Sequence, residues 1–372
     1  MIFVLKKYVY FNDRHMKRSW VLFFSFLLLT GIWIACKRSD DEPIYPPSPI
    51  SRLYISFSDE ETSDATTTFE NIVVFDPADS TGYIPDGLGY PSNPKVGMGI
   101  TFSPDLGQAF QVSRRDSTVT LFTVSDVGNL SKLRNFKDTI NLGSARSIRY
   151  NRPSDQLYIT NDDTQNPSLN IYYMPSRLAG QQPPKRKLLL ENRPWGIATG
   201  VNSATDSLIL LTMQGTTHQI WAFDLKKIAT GDSVVNQAAP QHTLTIEGAK
   251  DLRGITYARN LDLLLVTDIG TTTTEGNNPT DGKVYIIENA KATIAAGGTI
   301  TPARVISGAT TTLRDPIDVA VADSARRNQF IYIADRAQKQ LLRFAIDAAG
   351  DASPVDTKRL TLTPEFMYLD AR

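Results

Sequence analysis

Cysteine is almost absent from these 372 residues: it occurs once, as Cys36. One cysteine closes no intrachain disulfide and builds no zinc–thiolate cluster. Histidine is nearly as scarce. Of three, only His218 and His242 lie beyond residue 36, which nearly excludes multi-histidine metal sites and histidine base catalysis. There is no excess of either charge, with 39 Lys+Arg against 39 Asp+Glu. Setting aside residues 1–35, with five basic residues and one acidic, leaves 34 against 38, a net of −4. Such a mildly acidic chain is ill suited to nucleic acid, which needs clustered Lys and Arg. No Gly-x-Ser-x-Gly elbow and no P-loop occur.

What is present begins with an address. Lys17 and Arg18 precede the uncharged run Val21–Ala35, the layout of a secretory signal. The run falls short of the roughly 20 residues of a membrane span. Its ending, Ile34-Ala35-Cys36, resembles a bacterial lipobox, in which the cysteine is lipidated and becomes the new N-terminus; Trp33 is bulkier than the usual residue there. Residues 1–15 fit no part of a signal, so Met16 is the expected start. Lipidation would consume the one thiol and exclude a cysteine nucleophile. "KRSDDE", residues 37–42, resembles the acidic export signal of Bacteroidetes-type surface lipoproteins. "PIYPPSPI", residues 43–50, reads as a stiff extended spacer. The expected division is a signal over 1–35, a lipidated tether over 36–50 and one folded domain over 51–372.

That domain repeats itself. "DPIDVAVADSARRNQFIYIADRAQKQLLRFAID", residues 315–347, is an apolar strand, a polar turn, a second strand, a turn and an alternating third strand. The same order recurs from Gly97, Ala145, Pro194 and Leu252, each unit alternating with period two and punctuated by Gly, Pro, Asn and Asp. The first aliphatics, Ile100, Ile148, Ile197, Ile255 and Val319, are 48, 49, 58 and 64 residues apart. "PEFMYLDAR" at the C-terminus reads as an inner strand with nothing after it. "RLYISFS" and "ENIVVFD" read as second and third strands with nothing before them. Joined, the two ends make a sixth unit. The pattern predicts an all-β, six-bladed β-propeller closed by its terminal strands, which leaves no sheet edge at the seam. Seven blades is the alternative if "YIPDGLGYPSNP", residues 83–94, hides a strand pair.

The 315–347 unit resembles an NHL-type propeller repeat of the TolB-like class, and "TPARVISGATTTLRDP", residues 301–316, is similar to the linker between such repeats. The resemblance implies a fold and little more, because propellers host binders, scaffolds and enzymes alike.

Candidate site residues follow from the rotational symmetry. Two residues before each first aliphatic stand Met98, Arg146, Trp195, Arg253, Ile317 and, for the terminal unit, Phe366. One residue before stand Gly99, Ser147, Gly196, Gly254, Asp318 and Met367. Arg146, Trp195, Arg253 and Asp318 are therefore expected around a funnel at the channel mouth. Arginine forks suit carboxylates or phosphates, and an indole suits a ring or a sugar. The alternative use is internal: Arg146 or Arg253 pairs with Asp318 while Trp195 packs on a neighbouring blade. "DIGTTTTEGNNPTDG", residues 268–282, is rich in oxygen ligands of the calcium type, with Asp268, Asn277 and Asp281 as candidates, though its spacing matches no EF-hand. No cofactor is otherwise expected. "DLKKIATG" and "NAKATIAAGG" read as single helical turns ended by glycine.

The function expected is that of a lipoprotein propeller held in the outer membrane at Cys36, facing either the periplasm or the surface. It would act as a binding module for an anionic or sugar-like ligand or for an envelope protein. The alternative is a channel-centred hydrolase or lactonase of the gluconolactonase type. That type needs several Asn/Asp oxygens on a channel metal, where this chain offers Asp318, Glu365, two arginines and apolar residues.

Overall fold

The computed structural model describes residues 49–60, 69–200, 207–228, 233–273, 276–277, 281–324 and 330–372. Cys36 and the expected signal over 1–35 lie outside them. The compact unit that they form begins at Pro49 and runs to Arg372.

Six antiparallel sheets, each with four consecutive antiparallel strands at its heart, make six blades. Their innermost strands are Pro364–Ala371, Gly97–Ser103, Ala145–Asn151, Pro194–Thr199, Leu252–Ala258 and Pro316–Val321, for blades 1 to 6 in that order. Each inner strand touches those of the two adjacent blades, and the last returns to the first. The chain is a six-bladed β-propeller.

Blade 1 is assembled from both ends of the domain. The C-terminal Pro364–Ala371 pairs with Ser51–Phe57, placing Leu53 opposite Leu369 and Ile55 opposite Met367. Ile72–Phe75 follows, then Leu88–Tyr90. The 83–94 segment thus supplies a single outer strand and not the pair that a seventh blade would need. A buried arginine reinforces the seam: Arg343 of blade 6 donates to the carbonyls of Ala78, at 3.3 Å, and Ser80, at 2.8 Å. Of the two expected glycine-ended turns, the second is the helix Ala290–Ala296, closed by Gly297 at φ 64°.

One irregularity recurs in every blade. Near the start of each inner strand the pairing register shifts, between Gly97 and Ile100, Ala145 and Ile148, Pro194 and Ile197, Leu252 and Ile255, and Pro316 and Asp318. In blade 1 the shift passes over Glu365, since Phe57 faces Pro364 while Ser56 faces Phe366. A bulge unpairs a residue from its ladder and re-aims its side chain. Here it is used six times around one axis.

The bulge sets which residue faces which way. In blades 2, 4, 5 and 6 the residue just before the first aliphatic meets the next blade. A Cβ on Gly99 would stand 2.6 Å from the Ile148 nitrogen, and one on Gly196 2.5 Å from the Arg253 carbonyl oxygen. One on Gly254 would stand 2.4 Å from the Asp318 Cα. Only glycine lets these backbones approach so closely. Threonines on the second strands satisfy the bulges: Thr160 accepts from the Ser147 amide at 2.9 Å and donates to the Trp195 carbonyl at 2.8 Å. Thr212 does the same between the Gly196 amide and the Arg253 carbonyl.

Candidate functional site

The residue two before each first aliphatic turns toward the channel mouth. Blades 2 to 6 place Met98, Arg146, Trp195, Arg253 and Ile317 there. In blade 1 the register makes Met367 the equivalent of the first aliphatics, so Glu365 holds the mouth offset, and Phe366, one residue on, packs into the mouth against Trp195. The offset expected from sequence was one residue too long, because alternation alone cannot place a bulge.

Arg146, Trp195 and Arg253 do meet. The Arg146 guanidinium carbon lies 4.1 Å from the Trp195 ring centroid, and that of Arg253 lies 4.4 Å away. The two cations come from the blades on either side of the indole. Phe366 stacks nearby with ring centroids 6.4 Å apart. Trp195 is 3 % exposed, so it offers little of its ring to a sugar. It fills the mouth, with Met98, Ile317 and Phe366 in the same apolar cluster.

Asp318 does not join them. Its carboxylate sits in the position held by glycine in blades 2, 4 and 5, and Oδ2 accepts from the Met367 amide of blade 1 at 2.7 Å. Burial pushes its pKa up to about 7, against the opposing field of Arg149 and the Met367 and Val319 amides. It is a strut between blades. The arginines take other partners. Arg253 forms a two-toothed pair with Asp251, its Nη2 2.5 Å from Oδ2, and burial still lowers its pKa. Arg146 donates from Nε to Asp162 Oδ2 at 2.8 Å. Burial brings its pKa to about 10 in spite of that partner.

Asp162 is the hub that sequence reasoning missed. Its buried carboxylate also meets Arg193 at 3.1 Å, Arg114 at 3.4 Å and the Gln214 amide at 3.0 Å. Burial opposes its ionisation, yet Arg146, Gln214 and Arg114 together hold its pKa below the usual carboxylate range. Three guanidinium groups on one carboxylate leave a surplus of positive charge. Arg193 and Arg114 carry it outward, with side chains 42 % and 31 % exposed.

The other side of the mouth is closed by Arg336. It donates from Nε to Asp315 at 2.7 Å and stands 3.6 Å from Glu365. Burial pushes the Glu365 carboxyl upward, while Arg336 and Arg146 pull it down; the net direction is up. Burial alone would lower Arg336, but Glu365 and Asp315 overcome it and raise it. Every blade thus adds a charged or aromatic group to one crown.

A signal for these residues existed in the repeat. Six backbone hydrogen bonds ring the mouth, each from the residue after a second strand to the residue before an inner strand. They join Arg114 to Val96, Asp162 to Ser144, Gln214 to Arg193, Ile269 to Asp251, Arg336 to Asp315 and Ser58 to Thr363. Arg114, Asp162, Arg193, Asp251, Asp315 and Arg336 all occupy these two offsets.

The calcium candidates are differently placed. Asp268 accepts from the amides of Lys250, Asp251 and Gly270 at 2.8, 2.8 and 2.9 Å and from the Tyr285 hydroxyl at 3.0 Å. Those four donors make it a loop-tying carboxylate, as Asp138 and Asp335 are in blades 2 and 6. Asp281 accepts from the Thr271 amide at 2.9 Å. The side chain of Asn277 lies outside the described residues. Among the described residues no three His, Cys, Asp or Glu side chains are grouped to hold a metal.

Comparison with solved structures finds the same fold among lactonase-like proteins. A putative 6-phosphogluconolactonase from Bacteroides fragilis is 11 % identical, with a TM-score of 0.55 over 88 % of this chain and 100 % of its own. One from Bacteroides uniformis is 12 % identical, with a TM-score of 0.55 over 87 % and 99 %. The periplasmic gluconolactonase of Pseudomonas aeruginosa is 12 % identical, with a TM-score of 0.51 over 86 % and 99 %. What they share with this chain is a fold. No protein-family model and no curated protein sequence matches it.

Proposed function

We propose that the protein is a lipid-anchored propeller of the outer membrane, tethered at Cys36, which binds a ligand bearing an anionic group at the crowned mouth of its channel. The 315–347 repeat supports placing it among NHL-type propellers. The observation that carries the ligand class is the convergence of Arg114, Arg146 and Arg193 on the single carboxylate of Asp162, with Arg193 and Arg114 partly exposed. A carboxylate or phosphate set against Arg193 and Arg114 would complete that charge balance, and their planar forks match such groups.

Titration calorimetry of gluconate and 6-phosphogluconate into the full chain in detergent tests this. Charge-assisted hydrogen bonds are worth roughly 1.5–3 kcal/mol each, so Arg193→Ala should weaken binding about tenfold or more. Equal affinity of variant and wild type, or no binding of either acid, overturns the reading.

Glu365 favours a second reading, hydrolysis of a lactone with an anionic arm. Its carboxyl is buried and pushed upward in pKa, the direction that suits a general base or acid near neutral pH. The names of the similar lactonase structures point the same way. Release of acid from 6-phosphogluconolactone, lost in Glu365→Gln, is the expected sign. Equal rates with and without protein exclude it.

A further inference from the structure

The channel has a second end with different chemistry. There the inner strands of blades 1 and 3 to 6 line an open cavity of about 180 Å³, with Arg149, Thr199, Thr256, Tyr257, Ala320 and Tyr368 in its wall. A single water needs only ~10–15 Å³ of such space. The room comes from the residue just after each first aliphatic: Ala198, Thr256 and Ala320 are small, whereas blade 3 puts Arg149 at that offset.

Arg149 is poorly compensated. Its Nη1 donates to the carbonyls of Ile148, at 2.9 Å, and Ile100, at 3.4 Å. Its guanidinium carbon is 6.0 Å from the Tyr368 ring centroid. Among the described residues no carboxylate stands within ion-pair distance of it. Arg149 is half-buried at the cavity wall; drawing a guanidinium even partly out of water without a counter-charge is costly, and burial lowers its pKa. The carboxylate whose field reaches it, Asp318, is engaged with the Met367 amide. Burial also pushes that carboxyl toward its neutral form.

We propose that this end of the channel is a second binding site, which takes a small oxyanion, a carboxylate or phosphate group, on the free donors of Arg149. Thr256 does not compete for it, since its hydroxyl donates to the Val319 carbonyl at 2.7 Å. The site is separate from the crown, where Met98, Trp195, Ile317 and Phe366 fill the mouth.

Titration of inorganic phosphate, and separately of acetate, into the full chain in detergent tests it. One site for at least one of the two anions should persist in Arg193→Ala and weaken tenfold or more in Arg149→Met. The anion that binds more tightly identifies the preferred group. Wild-type affinity in a folded Arg149→Met, or binding that Arg193→Ala removes completely, overturns the proposal, as does binding of neither anion. If Arg149→Met does not fold, Arg149→Lys decides: it keeps the charge and loses the fork, so affinity should fall three- to tenfold. Unchanged affinity in Arg149→Lys refutes the site.

Discussion

Replacing Asp318 by asparagine should stabilise this protein above neutral pH and do little near pH 4. The folded carboxyl titrates at about 7, against a reference of 3.8. Between those values the folded state holds a proton that the unfolded chain has released. Stability therefore falls as pH rises from about 4 to about 7 and is level above, the reverse of an ion-paired aspartate. About three pKa units at 1.36 kcal/mol each give a penalty of about 4 kcal/mol at most. Asparagine keeps an acceptor for the Met367 amide and cannot ionise, so it escapes the penalty. Urea unfolding of both proteins at pH 4, 5.5 and 8 reads the difference directly. The gap should open by about 4 kcal/mol between the first pH and the last, on top of any constant offset from the amide. A gap that does not change with pH refutes the reasoning. So does a variant that loses stability as pH rises, which would mean that the field of Arg149 outweighs burial and Asp318 is charged in the fold.

Arg253→Ala removes one of the two cations on Trp195 and leaves Asp251 the Gly215 amide in place of its guanidinium partner, so it should cost about 1–3 kcal/mol of stability while leaving anion affinity within about threefold; an unchanged melting curve with lost affinity would reverse the roles assigned to Arg253 and Arg193. Deleting residues 360–372 removes the inner strand of blade 1 and bares Leu53, Ile55 and Phe75, which are 0–2 % exposed in the intact protein. At roughly 1.5–3 kcal/mol for each buried side chain, against a net stability of about 5–15 kcal/mol, the truncated chain should unfold or aggregate; a melt like that of the full chain argues against closure. Cys36→Ala should leave an uncleaved or mislocalised precursor without acyl chains, and normal processing with detergent-phase partitioning would refute lipidation.

The fold was legible because a propeller is one unit rotated about an axis. Alternation with period two marks each strand, and equal offsets from Ile100, Ile148, Ile197, Ile255 and Val319 land on equal positions of the ring. That is why Arg146, Trp195 and Arg253, distant in sequence, could be expected at one mouth. Legibility failed where the ladder is irregular. The bulge puts two successive residues on different duties, one toward the mouth and one toward the next blade, and no alternation rule says which is which. So Asp318 was expected beside the arginines, although its offset is the one where Gly196 and Gly254 meet the neighbouring backbone. Glu365, which holds the mouth offset in blade 1, was passed over for the same reason. Asp162, Arg193 and Asp251 escaped for another. They lie just outside the strands, where composition reads as turn, and the six backbone hydrogen bonds around the axis show that those turns form a second ring of equivalent positions. A crown built on turns, above inner strands that alternate small and large residues, lets loop sequence vary in charge while the glycine and threonine contacts below hold the blades together. The positions that carry charge in this chain, one residue before an inner strand and one after a second strand, are therefore the ones to read first for ligand chemistry in a propeller with these bulges.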